Sequence, residues 1–147
     1  ISYDVVGVLP AHIETALKVS ELVPGLRMVF DHLNAPPITT KQKFGVWGEL
    51  MNEATKHLNF YEKISGLGII ASQNGEWTND DLKPYVGFVL EKFGSNRCFC
   101  GGDWPVLLLA GSYTKTWEAY KTILTELTNE SDRDKIFYNN ARQFYKL

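Results

Sequence analysis

Arg97-Cys98-Phe99-Cys100-Gly101-Gly102-Asp103-Trp104-Pro105 (RCFCGGDWP, 97–105) decides the fold. A short β-favouring run meets two glycines, which end the strand and free the backbone to turn. A carboxylate follows at once, and Trp104-Pro105 closes the segment. Beyond it Tyr113, Trp117, Tyr120, Leu124 and Leu127 recur at helical spacing, the apolar stripe of an amphipathic helix. Strand, polar exit and helix together make one βα unit.

The same unit recurs three more times upstream. Phe60–Ile64 (FYEKI) exits at Ser65-Gly66 and leads to a helix face of Leu82, Tyr85, Val86, Val89, Leu90 and Phe93, with Thr78 and Asn79 as capping candidates. Residues 27–30 (RMVF) exit at Asp31-His32-Leu33-Asn34, ahead of a stripe of Phe44, Trp47, Met51, Ala54 and Leu58. Residues 3–8 (YDVVGV) exit at Leu9-Pro10-Ala11-His12, and a helix over 12–22 ends before Pro24-Gly25. A helical tail, 132–145, closes the chain. The fold class is α/β, and the alternation implies a parallel sheet with helices outside it. Two architectures fit: a small doubly wound sheet of four strands, or half of a (β/α)8 barrel, whose eight units take ~250 residues.

The chain has 147 residues, 44% hydrophobic and 22% charged, which reads as one globular domain over 1–147. A net charge of −2 gives no basic footprint for nucleic acid or an anionic membrane. The apolar run at 105–110 falls far short of the ~20 residues of a spanning helix. The two cysteines, Cys98 and Cys100, exclude a disulfide scaffold. They should point the same way from one strand, poorly placed to bond each other, and read as reduced residues of a cytoplasmic protein. The chain starts at Ile1 with no initiator Met and no leader-like segment. It is expected to be either processed or part of a longer chain.

Ligands of parallel α/β folds bind at the carboxyl ends of the strands. His, Asp, Ser, Gly and Pro gather at those ends here. Strand parity is expected to send His32 into a barrel mouth with Phe30 and Met28 inside below it. It places Asp103 above Gly101 and Phe99, turns Cys98 and Cys100 toward the helices, and puts Lys63 and Ser65 on one face. A converging His and Asp can ligate a divalent metal, or the Asp can act as general base. Each residue also has a plainer reading. His32 can be a buried structural histidine, and Asp103 can cap a turn. His12 reads as a surface residue and His57 as a charge near a helix C-terminus.

Four motifs carry a resemblance. Val29-Phe30-Asp31-His32-Leu33-Asn34-Ala35-Pro36-Pro37 resembles the "DHxxKPP" segment of the amidohydrolase-2 group of the amidohydrolase superfamily. Lys63-Ile64-Ser65-Gly66-Leu67 resembles its "KLSGL" strand, and Cys100-Gly101-Gly102-Asp103-Trp104-Pro105-Val106 its "FGSDWPV" strand. Ile136-Phe137, Asn140-Ala141 and Phe144-Tyr145 resemble its terminal "IF..NA..FY" helix. Within the group the match is to L-fuconolactonase-like and rhamnonolactonase-like enzymes and to pyrone-dicarboxylate lactonases. The resemblance implies four βα units of a (β/α)8 TIM barrel, strands five to eight, plus a C-terminal helix. It implies hydrolysis of a lactone or related ester or amide bond, with a divalent metal such as zinc or with none. Asp103 would activate water and His32 would be the strand-six histidine; both are catalytic and metal-ligand candidates. Lys63, Ser65, Asn34 and Trp104 are the substrate-binding candidates, Lys63 for an oxyanion or a substrate carboxylate. The sequence departs from the pattern too. It has no His-x-His, Gly102 stands for the family's serine, and Ala35 for its lysine.

Two functions follow. One is the C-terminal half of a lactonase-type hydrolase acting on a small sugar-acid lactone, with no nucleic-acid or membrane partner. The other is a non-catalytic half-barrel serving as a binding or assembly module, since the strand-one motif is missing. Either way an N-terminal half-barrel or a second copy is the expected partner. An isolated half-barrel would expose both sheet edges and leave Met28, Phe30 and Phe99 facing solvent.

Overall fold

The computed structural model describes residues 1–40, 43–72 and 76–147. Four parallel strands lie in sequence order: β1 (Ser2–Val6), β2 (Arg27–Asp31), β3 (Phe60–Ile64) and β4 (Cys98–Cys100). That order, with a helical crossover after each strand, is the arrangement of consecutive barrel strands rather than of a doubly wound sheet, whose order reverses. The helices are α1 (Pro10–Leu22), α2 (Gly45–Ala54), α3 (Leu67–Ala71), α4 (Asn79–Phe93), α5 (Tyr113–Leu127), α6 (Glu130–Asp134) and α7 (Asn140–Tyr145). A π-helical turn, Lys135–Asn139, joins the last two, so the tail is one helix with a bulge.

Local chemistry sets the boundaries. The Thr78 amide and hydroxyl both donate to Asp81 Oδ2 at 2.7 Å, closing a capping box on α4. Ser112 accepts the Lys115 amide and caps α5. His12 is a cap as well: its Nδ1 accepts the Val8 and Leu9 amides at 3.0 and 3.3 Å. Helix α2 stops at Ala54, so Leu58 falls in the following turn and is 81% exposed instead of joining the stripe. His57 Nδ1 meets Ser20 Oγ at 3.2 Å, tying that turn to α1.

The sheet has two unlike faces. Met28, Phe30, Phe60, Ile64 and Cys98 pack under the helices with Ile13, Trp47, Met51, Tyr85, Val89, Tyr120 and Leu124. Both cysteines are free, and Cys100 also packs against this layer. On the other, inner face Val29 and Phe99 are covered by Phe144 of α7, with Tyr61, Ala141 and Tyr145 around them. This corrects two expectations. Met28 and Phe30 do not line a barrel interior, because β2 carries Val29 and Asp31 inward. Nor does Phe99 meet solvent, being 1% exposed beneath α7. The parity expected for Lys63, Ser65, Phe99 and the cysteines holds, since β3 and β4 run straight into their exits.

Candidate active site

The ends of β2, β3 and β4 open on a cleft of about 380 Å3. Asp31, His32, Lys63, Ser65, Gly101 and Asp103 line it. His32 reaches it against strand parity. Residues His32, Leu33, Asn34 and Ala35 all have positive φ, from 49° to 58°, one turn of left-handed helix. Such a turn costs about 1–2 kcal/mol for each side chain with a Cβ. Trp47 Nε1 donates to Leu33 O at 2.8 Å, and Ala35 N to His32 O, holding it in place. Strain of this kind, held by its surroundings, collects at functional sites.

Ser65 fixes the imidazole. Its Oγ lies 2.8 Å from His32 Nδ1 and 3.3 Å from the His32 amide. The contact from Ser65 Oγ to Lys63 O is longer, 3.5 Å. The hydroxyl proton is therefore best used on Nδ1, which leaves N–H at Nε2 turned to Asp103. Nε2 lies 3.7 Å from Asp103 Oδ1, an ion-pair separation longer than a hydrogen bond. Catalytic contacts are often this loose before substrate arrives. Asp103 also has positive φ, 51°, and its carbonyl accepts the Leu107 amide.

Gly66 makes the convergence possible. A Cβ there would sit 2.6 Å from His32 Nδ1 and 2.9 Å from Asp103 Oδ2, and the residue has φ of 61°. No side chain fits between the two polar groups. The sequence reading took Ser65-Gly66 as a common strand exit; only the packing shows why glycine is needed.

The remaining candidates separate. Ser65 is in the cleft, and so is Lys63, where it is paired inside the protein: Nζ lies 2.7 Å from Asp4 Oδ2 and 2.5 Å from Asp31 Oδ1. Asn34 turns away. It is buried against Gly7, whose Cβ would lie 2.0 Å from Asn34 Oδ1, and neither amide atom has a hydrogen-bond partner among the described residues. Trp104 is 69% exposed and does not line the cleft. Sequence reasoning missed Asp4, Asp31 and Tyr145. Asp31 was legible only once Val29 is seen to face inward, since parity alone put Met28 and Phe30 there. Tyr145 was not, being 141 residues from Asp4, whose Oδ2 accepts its hydroxyl at 2.7 Å.

For a metal, His32 and Asp103 are the right donor types but only two. Among the described residues no group of three or more His, Cys, Asp or Glu could hold an ion. A catalytic zinc takes three protein ligands. The described residues alone do not make such a site.

A parallel βα sheet with a histidine and an aspartate converging at its carboxyl ends has its polar groups where barrel folds carry their sites. The sequence profile of the amidohydrolase family matches residues 3–147, and the chain belongs to that family. It is 32% identical to an L-fucono-1,5-lactonase of Burkholderia ambifaria over 143 residues, which is 95% of this chain and 48% of that protein. The crystal structure of a Burkholderia multivorans amidohydrolase with bound zinc superposes with a TM-score of 0.90 at 23% identity, over 99% of this chain and 52% of that one. A probable 2-pyrone-4,6-dicarboxylic acid hydrolase of Acinetobacter baumannii gives 0.74 at 15% identity, over 99% and 52%. The chain thus spans about half the length of the relatives it matches. No helix among the described residues is long and apolar enough to cross a membrane.

Proposed function

We propose that this chain supplies the water-activating half of a barrel that hydrolyses a sugar-acid lactone. The observation that carries it is the His32–Gly66–Asp103 convergence: two polar groups from different strands, held so close that only glycine fits between them. Asp103 takes a proton from the attacking water as oxygen bonds to the lactone carbonyl carbon. The His32 Nε2 proton faces the developing oxyanion. When the ring C–O bond breaks, the proton on Asp103 passes to the leaving alkoxide, giving the hydroxy acid. Ser65 keeps the imidazole aimed. No step is routed through a metal: among the described residues His32 and Asp103 are the two donors that converge, and an ion would need further ligands from the rest of a barrel.

The rest of that barrel is the partner this reading requires. Among the described residues β1 pairs only with β2, and β4 only with β3. Tyr3, Val6, Val8 and Leu9 are exposed along the first edge, and Trp104, Val106, Leu108 and Leu109 beyond the last strand. An apolar groove of about 410 Å3 runs between β1 and α1. Exposed apolar edges of this kind call for cover. An N-terminal half-barrel fits both.

The test is hydrolysis of L-fucono- and L-rhamnono-lactones by the whole protein, with acid release followed by a pH indicator. Turnover abolished by Asp103→Asn supports the reading. A wild-type protein inactive on every lactone tried, with or without zinc, overturns it and favours a binding module.

A further inference from the structure

Lys63 is the most heavily bonded charge on the inner face. Its ammonium pairs with Asp4 and Asp31, and the Tyr145 hydroxyl donates to the same Asp4 Oδ2 that Lys63 meets. An ammonium has three donors and no acceptor. Two carboxylates lie against it at 2.7 and 2.5 Å, and the Tyr145 and Phe99 rings flank it with centroids 5.5 and 6.0 Å from Nζ. Burial alone would push Lys63 down, but these hydrogen bonds outweigh it and hold its pKa above the ordinary lysine value. Burial likewise raises the Tyr145 phenol to about 12, against the pull of the Lys63 charge. Neither group is free to give up a proton near neutrality.

The four residues come from β1, β2, β3 and α7. Asp31, Lys63 and Tyr145 line the same cleft as His32 and Asp103. Helix α7 is itself anchored: Asn140 Nδ2 donates to Ser95 O and Cys98 O, and Arg27 Nη1 to Gln143 O. Phe144 is buried in the inner layer beside Tyr145. The network therefore runs from the C-terminal helix to Asp31, the residue directly before the strained His32 turn.

We propose that Lys63 is a positioning residue, held between Asp4 and Asp31, and that Tyr145, by its bond to Asp4, makes the C-terminal helix a working part of the site. Lys63 then gives no hydrogen bond to substrate. It pins Asp31, and through it the turn that aims His32. This deepens the lactonase reading and rests on it for the kinetic half of the test alone.

The test uses the whole protein with Lys63→Met, Tyr145→Phe and the double variant. The expected pattern is a lower kcat for each single variant, with KM within about twofold, and a double no worse than the poorer single. A rise in KM for Lys63→Met, with Tyr145→Phe silent, would show a donor to substrate and overturn the proposal. Lys63→Met strands two carboxylates and can unfold the protein, so a second measurement stands apart from activity. In ¹H–¹⁵N spectra the Lys63 ammonium, identified by its loss in Lys63→Arg, should be protected from water exchange in the wild type and lose that protection in Tyr145→Phe. A Lys63 signal averaged with solvent overturns the network whether or not a lactone is hydrolysed. A protected signal in an inactive protein counts against the lactonase reading and leaves the network standing.

Discussion

Glu62 and Lys63 are neighbours in β3 and face opposite sides of the sheet. Glu62 is completely buried under the helices, its register partners are Phe30 and Cys98, and neither carboxylate oxygen has a hydrogen-bond partner among the described residues. Burial pushes its pKa well above the ordinary 4.5, with Arg97 pulling the other way. Arg97 is itself spent on the Phe93, Thr55 and His57 carbonyls. Lys63 is partly buried, its side chain 15% exposed, and it keeps its charge because carboxylates meet it. Burial alone therefore does not mark a site. Partners decide whether a buried group is neutralised or held charged, and the inner face is where charge is held.

Breaking the inner face should cost function first. The largest effect is expected from Asp103→Asn in the whole protein. A lost general base is worth ~10²–10⁴-fold in kcat. Circular dichroism and the melting temperature should stay close to wild type. Near-normal turnover would remove Asp103 from the chemistry.

His32→Asn comes next. Asparagine tolerates the left-handed backbone that His32 occupies, so the variant tests the ring rather than the turn. Loss of one donor to an oxyanion typically costs ~10²–10³-fold in kcat. Were His32 structural, the change would instead show as about 1–3 kcal/mol of stability. A denaturant titration run beside the assay separates the two.

Two glycines sharpen the contrast further. Gly66→Ala forces a Cβ onto His32 and Asp103, and displacement near a reacting centre can cost ~10²-fold. Gly94 has a similar φ, 74°, with nothing within 4 Å of its would-be Cβ. Its ψ of 162° puts it in a region that only glycine readily adopts, so Gly94→Ala should lower stability by about 1–3 kcal/mol and leave kcat alone. Equal kinetic losses at both positions would mean that backbone strain, and not the His32–Asp103 approach, sets activity.

The strand–helix alternation, read from apolar spacing, placed all four strands and the exits where the cleft lies. It succeeded because each βα unit is local. Parity also worked wherever a strand runs straight into its exit, as at Lys63 and Ser65. It failed at His32, where four residues of left-handed backbone rotate the ring back into the cleft. It could not show that Asn34 turns in under Gly7, or that a tyrosine near the C-terminus answers an aspartate near the N-terminus. Those contacts depend on the closed shape of the chain, which no local pattern encodes. The motif resemblance carried Asp103 and His32 but gave Lys63 no partners, since partners are a property of packing.

The smallest effect belongs to the helix-facing side. A Glu whose folded pKa lies above its unfolded value binds its proton more tightly when folded. Its contribution is fully present below about pH 4.5 and is lost as pH rises toward the folded value. Stability should therefore decline over that window, in the sense opposite to that of a paired carboxylate. Glu62→Gln keeps the shape of the protonated acid and removes the titration. The variant should match wild type near pH 4.5 and exceed it by about 1 kcal/mol at pH 8. Urea midpoints across that range are the measurement. Parallel curves for the two proteins would show that Glu62 finds a partner when charged, and the difference between the two faces of β3 would then lie in apolar content alone.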